Sequence, residues 1–233
     1  MAWPGFNSRT RSCFFNFARK INNLWKVVKM ITGVILAGGK KDFINGTRKS
    51  FLQLNDRTVL DYQLKELGKV SREVMIVTDD PRAFLPNVPP TVRIITDFYK
   101  NIGVFGGMHA AFSLAKAPYI WLAGSGMPFI SSSAAEYMVN QLGSERYEGA
   151  IPVIDGNPYP LHGIYTQKAL LSLNQLIKKG DFSMASFLKK ITWLPIRDWP
   201  EDISKKFVFS IQTKADYETA KSEISTNKIS LLG

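Results

Sequence analysis

The sequence predicts an α/β fold, a mainly parallel twisted sheet with helices on both faces. Two observations carry this. Short β-branched and apolar runs alternate with helix-length amphipathic stretches along most of the chain. The runs are also short and β-rich, and strands that alternate with helices imply a mainly parallel sheet covered on both faces.

Seven strands are expected. They are Gly33–Leu36, Glu73–Thr78, Thr91–Thr96, Tyr119–Ala123, Gly149–Ile154, Thr192–Ile196 and Phe207–Ile211. Between several of them the apolar spacing changes to the helical period, over Val59–Leu67, Gly106–Lys116, Ser133–Leu142, Gln167–Lys179 and Lys214–Glu223. Ser131, Ser132 and Ser133 followed by Glu136 read as an N-cap and capping box for the third helix. Gly180 stands where the fourth helix should stop. The Pro-rich segment 86–92 is too short to divide the chain, so one domain is expected from residue 30 to 233, behind a basic extension over residues 1–29.

Mean hydropathy of −0.07 and 45% hydrophobic residues suit a chain with a real core. No apolar run reaches the roughly 18 to 20 residues that a bilayer crossing needs. The net charge of +11 is unevenly distributed: residues 1–30 hold six basic side chains and no acid, leaving 24 basic against 19 acidic side chains beyond. That stretch has the composition of a nucleic-acid arm or a membrane-surface helix. It also suits a non-native or disordered extension with Met30 as the natural start. Cys13 is the only cysteine and His109 and His162 the only histidines, so a disulfide framework or a Cys/His metal centre is excluded. A cytoplasmic location is expected.

In parallel sheets ligands bind where loops leave the carboxyl ends of the strands. The first such loop is Leu36-Ala37-Gly38-Gly39, whose glycines let backbone N–H groups approach a phosphate. Lys40, Lys41, Arg48 and Lys49 follow it, and Lys49 is a candidate to neutralise that phosphate. A glycine turn followed by a solvated charged loop would read the same way, and the Gly-x-x-x-x-Gly-Lys-[Ser/Thr] spacing of a P-loop is absent. Asp97 leaves another strand ahead of Gly103, Gly106 and Gly107, either as a base- or ribose-binding carboxylate or as a packing feature. The loop Gly124-Ser125-Gly126 holds no carboxylate where a magnesium ligand would be useful. His109 and His162 read as packed side chains.

These blocks together resemble the molybdenum cofactor guanylyltransferases, the MobA-like nucleotidyltransferases. "ITGVILAGG…RKSFLQLNDRTVLDYQLKEL", "TDFYKNIGVFGGMHAAF", "AGSGMPFIS", "YPLHGIYTQKALLSLNQLIKKGDFSMASFL" and "FVFSIQTKADYETA" fall in the family's order across residues 31–222. The resemblance implies a single Rossmann-like nucleotidyltransferase domain that transfers GMP from GTP to molybdopterin or its metal-loaded form, with Mg²⁺ as cofactor and pyrophosphate as by-product. It implies that Leu36, Ala37, Gly38 and Gly39 line the GTP phosphates, that Lys49 contacts them as the catalytic cation, and that Asp97 and Asp79 contact the nucleotide. Partners are then GTP, molybdopterin or a related phosphorylated acceptor, and molybdoenzyme-maturation proteins, with neither nucleic acid nor membrane.

The departures fall on loops. The family's magnesium-binding Asp aligns with Gly126 and its neighbouring Cys with Ser125, leaving Asp97 as the substitute metal ligand. The two Asn of the closing motif align with Ser210 and Gln212. A catalytically impaired nucleotide-binding paralogue, or a transferase with another phosphorylated acceptor, is therefore the alternative reading.

Overall fold

A computed structural model describes residues 30–39, 42–99, 101–143 and 146–230, with side chains through residue 226. The basic extension with Cys13, and the loop residues Lys40 and Lys41, lie outside the described residues. The expected α/β architecture is present as one eight-stranded sheet. Its long strands are β1 (Ile31–Ala37), β6 (Glu73–Thr78), β7 (Val92–Ile95), β8 (Tyr119–Gly124), β9 (Gly149–Ile154) and β12 (Trp193–Ile196). Two short hairpins, β2 (Phe43–Ile44) with β3 (Thr47–Arg48) and β4 (Gln53–Leu54) with β5 (Arg57–Thr58), lie apart from it. The short strands β10 (Asn157–Pro158) and β11 (Ile164–Thr166) complete the set.

The order is β10-β9-β11-β8-β1-β6-β7, with β12 also pairing β9. β8, β1, β6 and β7 run parallel, as do β9 and β12, while β11 is antiparallel to both β8 and β9. The antiparallel insertion was not legible in the sequence, because β11 is three residues long and shows no alternation to read.

Alternation along β1 assigns its two faces. Ile31, Ile35 and Ala37 pack with α1 (Val59–Val70), α2 (Pro81–Phe84) and α4 (Ser132–Leu142); Val34 and Leu36 pack with α3 (Val104–Leu114), α5 (Ala169–Lys178) and α6 (Met184–Lys190). β6 and β8 follow the same pattern. Ile76 and Trp121 face the first layer, Met75 and Leu122 the second. Helix α7 (Lys214–Ser230) closes the chain against Leu54 and Val59 through Ala220.

Local chemistry sets the helix ends. Thr58 caps α1 in a reciprocal box with Asp61. Ser131 caps α4 by accepting from Ala134 N at 3.2 Å. The expected box with Glu136 is not made, because counting from Ser131 the third helical residue is Ala134. Gly180, with φ of +70°, ends α5 in a Schellman motif: its N–H reaches Ile177 O and the Asp181 N–H reaches Leu176 O, each at 3.0 Å. One expected strand is absent. Phe207–Ile211 is a 3₁₀ turn over Lys205–Val208 followed by an extended segment outside the sheet. Phe207 and Val208 are buried with Ala134 and Tyr137, and Ile211 with Leu52, Leu54 and Val59, rather than between two helical layers, so an apolar run here signals a packed strap.

His162 is a packed residue. It is fully buried against Trp121 and Phe207, with Nε2 accepting from Ser131 N at 3.3 Å. Burial lowers its pKa from 6.5 to about 3. Below pH 6.5 the unfolded chain therefore binds a proton that the folded chain refuses, and stability falls as pH drops. The loss between pH 6.5 and 5 should be about 1.5 kcal/mol, or roughly 3–6 °C in melting temperature for a chain of this size. Differential scanning calorimetry should show this slope flattened in His162→Gln, which keeps an acceptor for Ser131. A variant as acid-sensitive as the wild type would refute the assignment.

Candidate active site

The carboxyl ends of β8, β1 and β6 lie side by side and form the floor of the site. Ser125 N donates to Leu36 O at 3.0 Å, joining the loop after β8 to the end of β1. Gln63 from α1 fixes the same loop, its Nε2 donating to Gly124 O at 2.7 Å and to Met127 O at 3.1 Å. On the other side a Cβ at Gly38 would approach Asp79 N within 3.3 Å. Gly39 turns the chain with φ of +87° into open space, a conformation suited to glycine. Leu36, Ala37, Gly38, Gly39 and Asp79 are thus brought together.

Residues 42–49 return to the site by a hairpin. Asn45 and Gly46 both have positive φ, 49° and 81°, and form the tight turn between β2 and β3. The hairpin delivers Arg48 and then Lys49. Arg48 is the hub of the carboxylates: its guanidinium donates to Asp42 at 3.2 Å and Asp79 at 3.1 Å, stands 3.5 Å from Asp80, and lies over the Phe43 ring. Asp42 also accepts from the Ser125 hydroxyl. Burial pushes the Asp42 carboxyl above the usual carboxylate range, against the opposing pull of Ser125, Arg48 and Lys49.

Lys49, expected as the cation that returns to the phosphates, is buried, 5% exposed, in the 3₁₀ turn Lys49–Phe51 and does not lie on a solvated loop. Its Nζ donates to Gln212 Oε1 at 2.8 Å, and Gln212 Nε2 in turn donates to Ser210 Oγ at 2.7 Å. Burial lowers the Lys49 pKa; Asp42 and Asp216 oppose the shift. The strap is anchored to the floor by Ile211 N donating to Gly126 O at 2.7 Å, and to α7 by Gln212 N and Thr213 N donating to Asp216. The strap positions Ser210 and Gln212, and through them Lys49, within the site.

Asp97 stands apart from this group. It follows β7 at the sheet edge, and its Oδ2 lies 2.8 Å from where a Cβ on Gly106 would be, against the first turn of α3. Gly106 is required there, because that same Cβ would stand 2.6 Å from Tyr99 O. A Cβ on the next residue, Gly107, would stand 3.1 Å from Leu36 Cδ2, so the first turn of α3 lies against both Asp97 and the end of β1. His109 is packed edge-on against Phe98 and Tyr99.

The residues do not fit a protein-built Mg²⁺ site. Gly126 offers no carboxylate, and a Cβ on it would meet Ile211 O at 2.8 Å and Lys49 Cδ at 3.0 Å. Asp42 and Asp79 are engaged by Arg48. No group of three or more His, Cys, Asp or Glu suited to a metal exists among the described residues.

A doubly covered sheet with a glycine turn, returning basic residues and a strap over the strand ends defines a nucleotidyltransferase class of site. Comparison with known proteins agrees. The family model described as "MobA-like NTP transferase domain" matches residues 33–194, and the chain belongs to that family. It is 24% identical over 198 residues to the "Probable molybdenum cofactor guanylyltransferase" of Natranaerobius thermophilus, covering 82% of this chain and 95% of that one. With the "Molybdenum cofactor guanylyltransferase" of Desulfosudis oleivorans it shares 23% over 206 residues, 86% of this chain and 98% of the relative. The fold matches the crystal structure of molybdopterin-guanine dinucleotide biosynthesis protein A from Archaeoglobus fulgidus with a TM-score of 0.70 at 21% identity, over 84% of this chain and 99% of that one. No helix among the described residues is long and apolar enough to cross a membrane.

Proposed function

We propose that this protein transfers GMP from GTP to the terminal phosphate of molybdopterin, or of its metal-loaded form, releasing pyrophosphate. The reading rests on the convergence of the Leu36–Gly39 turn, Arg48 and Lys49 at the strand ends of a MobA-like domain. An oxygen of the acceptor phosphate attacks the α-phosphorus of GTP. The bond from that phosphorus to the α–β bridging oxygen breaks, and its electron pair leaves with pyrophosphate. Negative charge grows on the bridging and leaving oxygens, so alignment and fixed cations supply the catalysis. Lys49, held by Gln212, and Arg48 are those cations; the amides of Gly38 and Gly39 are the neutral donors. Asp97, beside the turn, is assigned to guanine, whose N1–H and exocyclic amine both donate to a carboxylate where adenine offers no such pair. The reaction is placed in the cytoplasm, upstream of molybdoenzyme maturation.

A second reading is favoured by one observation. Gly126 has neither a carboxylate nor room for one, which suits a protein that binds nucleotide without turning it over. Incubation with α-labelled GTP and molybdopterin separates the two. Label in a guanine dinucleotide with equimolar pyrophosphate supports the transferase. No product, with GTP still raising the melting temperature, leaves the binder.

A further inference from the structure

The Gly-Gly turn is already holding an anion. Gly39 N donates to Asp79 Oδ2 at 3.0 Å, and Arg48 Nη2 donates to Asp79 Oδ1 at 3.1 Å. One backbone amide with φ in the left-handed region and one guanidinium grip the two oxygens of a single carboxylate. Both donors are of the kind that bind phosphate oxygens, and a guanidinium does so with two parallel bonds. The Asp79 side chain is half exposed, at 50%, whereas that of Arg48 is 10% exposed. The carboxylate can therefore swing into water while the guanidinium stays, fixed by Asp42 at 3.2 Å and by the Phe43 ring.

We propose that Gly39 N–H and the Arg48 guanidinium form a seat for one phosphate of the incoming triphosphate, and that the Asp79 carboxylate is its built-in occupant, displaced when the polyphosphate binds. The proposal rests on the nucleotidyltransferase reading for the identity of the polyphosphate. It reverses the role expected of Asp79: the side chain competes with the nucleotide instead of contacting it. Displacement releases the Gly39 amide, and the phosphate takes both donors. Arg48 becomes a nucleotide-binding residue, although the resemblance to the family assigns it none.

Isothermal titration of the full chain with GTP, and separately with inorganic tripolyphosphate, tests this. Asp79→Ala should tighten both ligands by about three- to tenfold, the scale of removing one partly exposed charge-assisted competitor. Asp79→Asn, which keeps the shape but not the charge, should tighten them less; it serves as the readout if the alanine variant melts early. Arg48→Ala should weaken both by about tenfold or more, and in that background Asp79→Ala should tighten them by clearly less than in the wild type, through the Gly39 amide alone. Weaker or unchanged binding in Asp79→Ala overturns the proposal, as does a gain as large without Arg48 as with it. Tighter tripolyphosphate with no GTP binding would uphold the seat and sink the GTP reading. Absence of binding by either ligand to any variant would overturn both.

Discussion

Lys49→Met should lower GTP affinity by about ten- to a hundredfold, the loss of one charged hydrogen bond to phosphate, while leaving the melting temperature equal to the wild type or higher. Methionine fills a similar volume, and it removes an ammonium that burial already disfavours. Lys49→Ala should behave differently. The side chain is packed beneath the strap, its Cδ 3.0 Å from the Cβ position of residue 126, so truncation leaves a cavity in addition to the loss of the Gln212 Oε1 partner that both variants share. A cost of about 2–4 kcal/mol follows from large-to-small core substitutions. The pair of variants separates charge from packing by calorimetry and nucleotide titration. A further signature concerns pH. The folded Lys49 pKa lies below 10.5, so the folded chain binds fewer protons than the unfolded one between the two values. Stability should rise with pH across that window in the wild type and lose this contribution in Lys49→Met. Unchanged GTP affinity in Lys49→Met would remove Lys49 from the site.

The contrast between Lys49 in the sequence and Lys49 in the fold shows what a linear reading can reach. The sheet was legible because each parallel strand is a contiguous apolar run and each covering helix has its own period. Glu73–Thr78 and Gly149–Ile154 occur with the bounds read from sequence. The glycine turn after β1 was legible because a strand followed by Gly-Gly has few structural uses. What failed depends on long-range contacts. Lys49 sits among Lys40, Lys41 and Arg48 and so looks solvated; Gln212, 163 residues away, makes it buried. Asp42 looks like a stray acid in a basic loop, yet Ser125 and Arg48 enclose it. Two signals were present and unread. Asn45-Gly46 and Asp155-Gly156 are dipeptides of tight hairpin turns, and all four residues have positive φ. The first shows why nine residues can lie between Gly39 and Lys49 without the lysine leaving the site.

Gly126→Asp should destabilise the protein by about 2–3 kcal/mol, or roughly 4–12 °C in melting temperature, and should not create a Mg²⁺-dependent gain in GTP turnover. The family resemblance read from the sequence points the other way, since it would put a metal-binding Asp at this position and restoring it would look like repair. The geometry opposes repair. A Cβ at this position stands 2.8 Å from Ile211 O, a backbone atom that cannot rotate aside. That carbonyl belongs to the strap residue whose own N–H donates to Gly126 O at 2.7 Å. Making room therefore stretches this bond and drags Ser210 and Gln212 with it, loosening the hold on Lys49. An ion pair between the new carboxylate and Lys49 would offset part of the cost, but it would consume the cation assigned to the triphosphate. Glycine at 126, Gln212 at the strap and a buried Lys49 are thus one coupled arrangement, in which changing the glycine alone loosens the other two. Thermal denaturation with GTP turnover measured across a Mg²⁺ series decides the matter. A variant as stable as the wild type and activated by Mg²⁺ would show the strap to be mobile and the metal position intact.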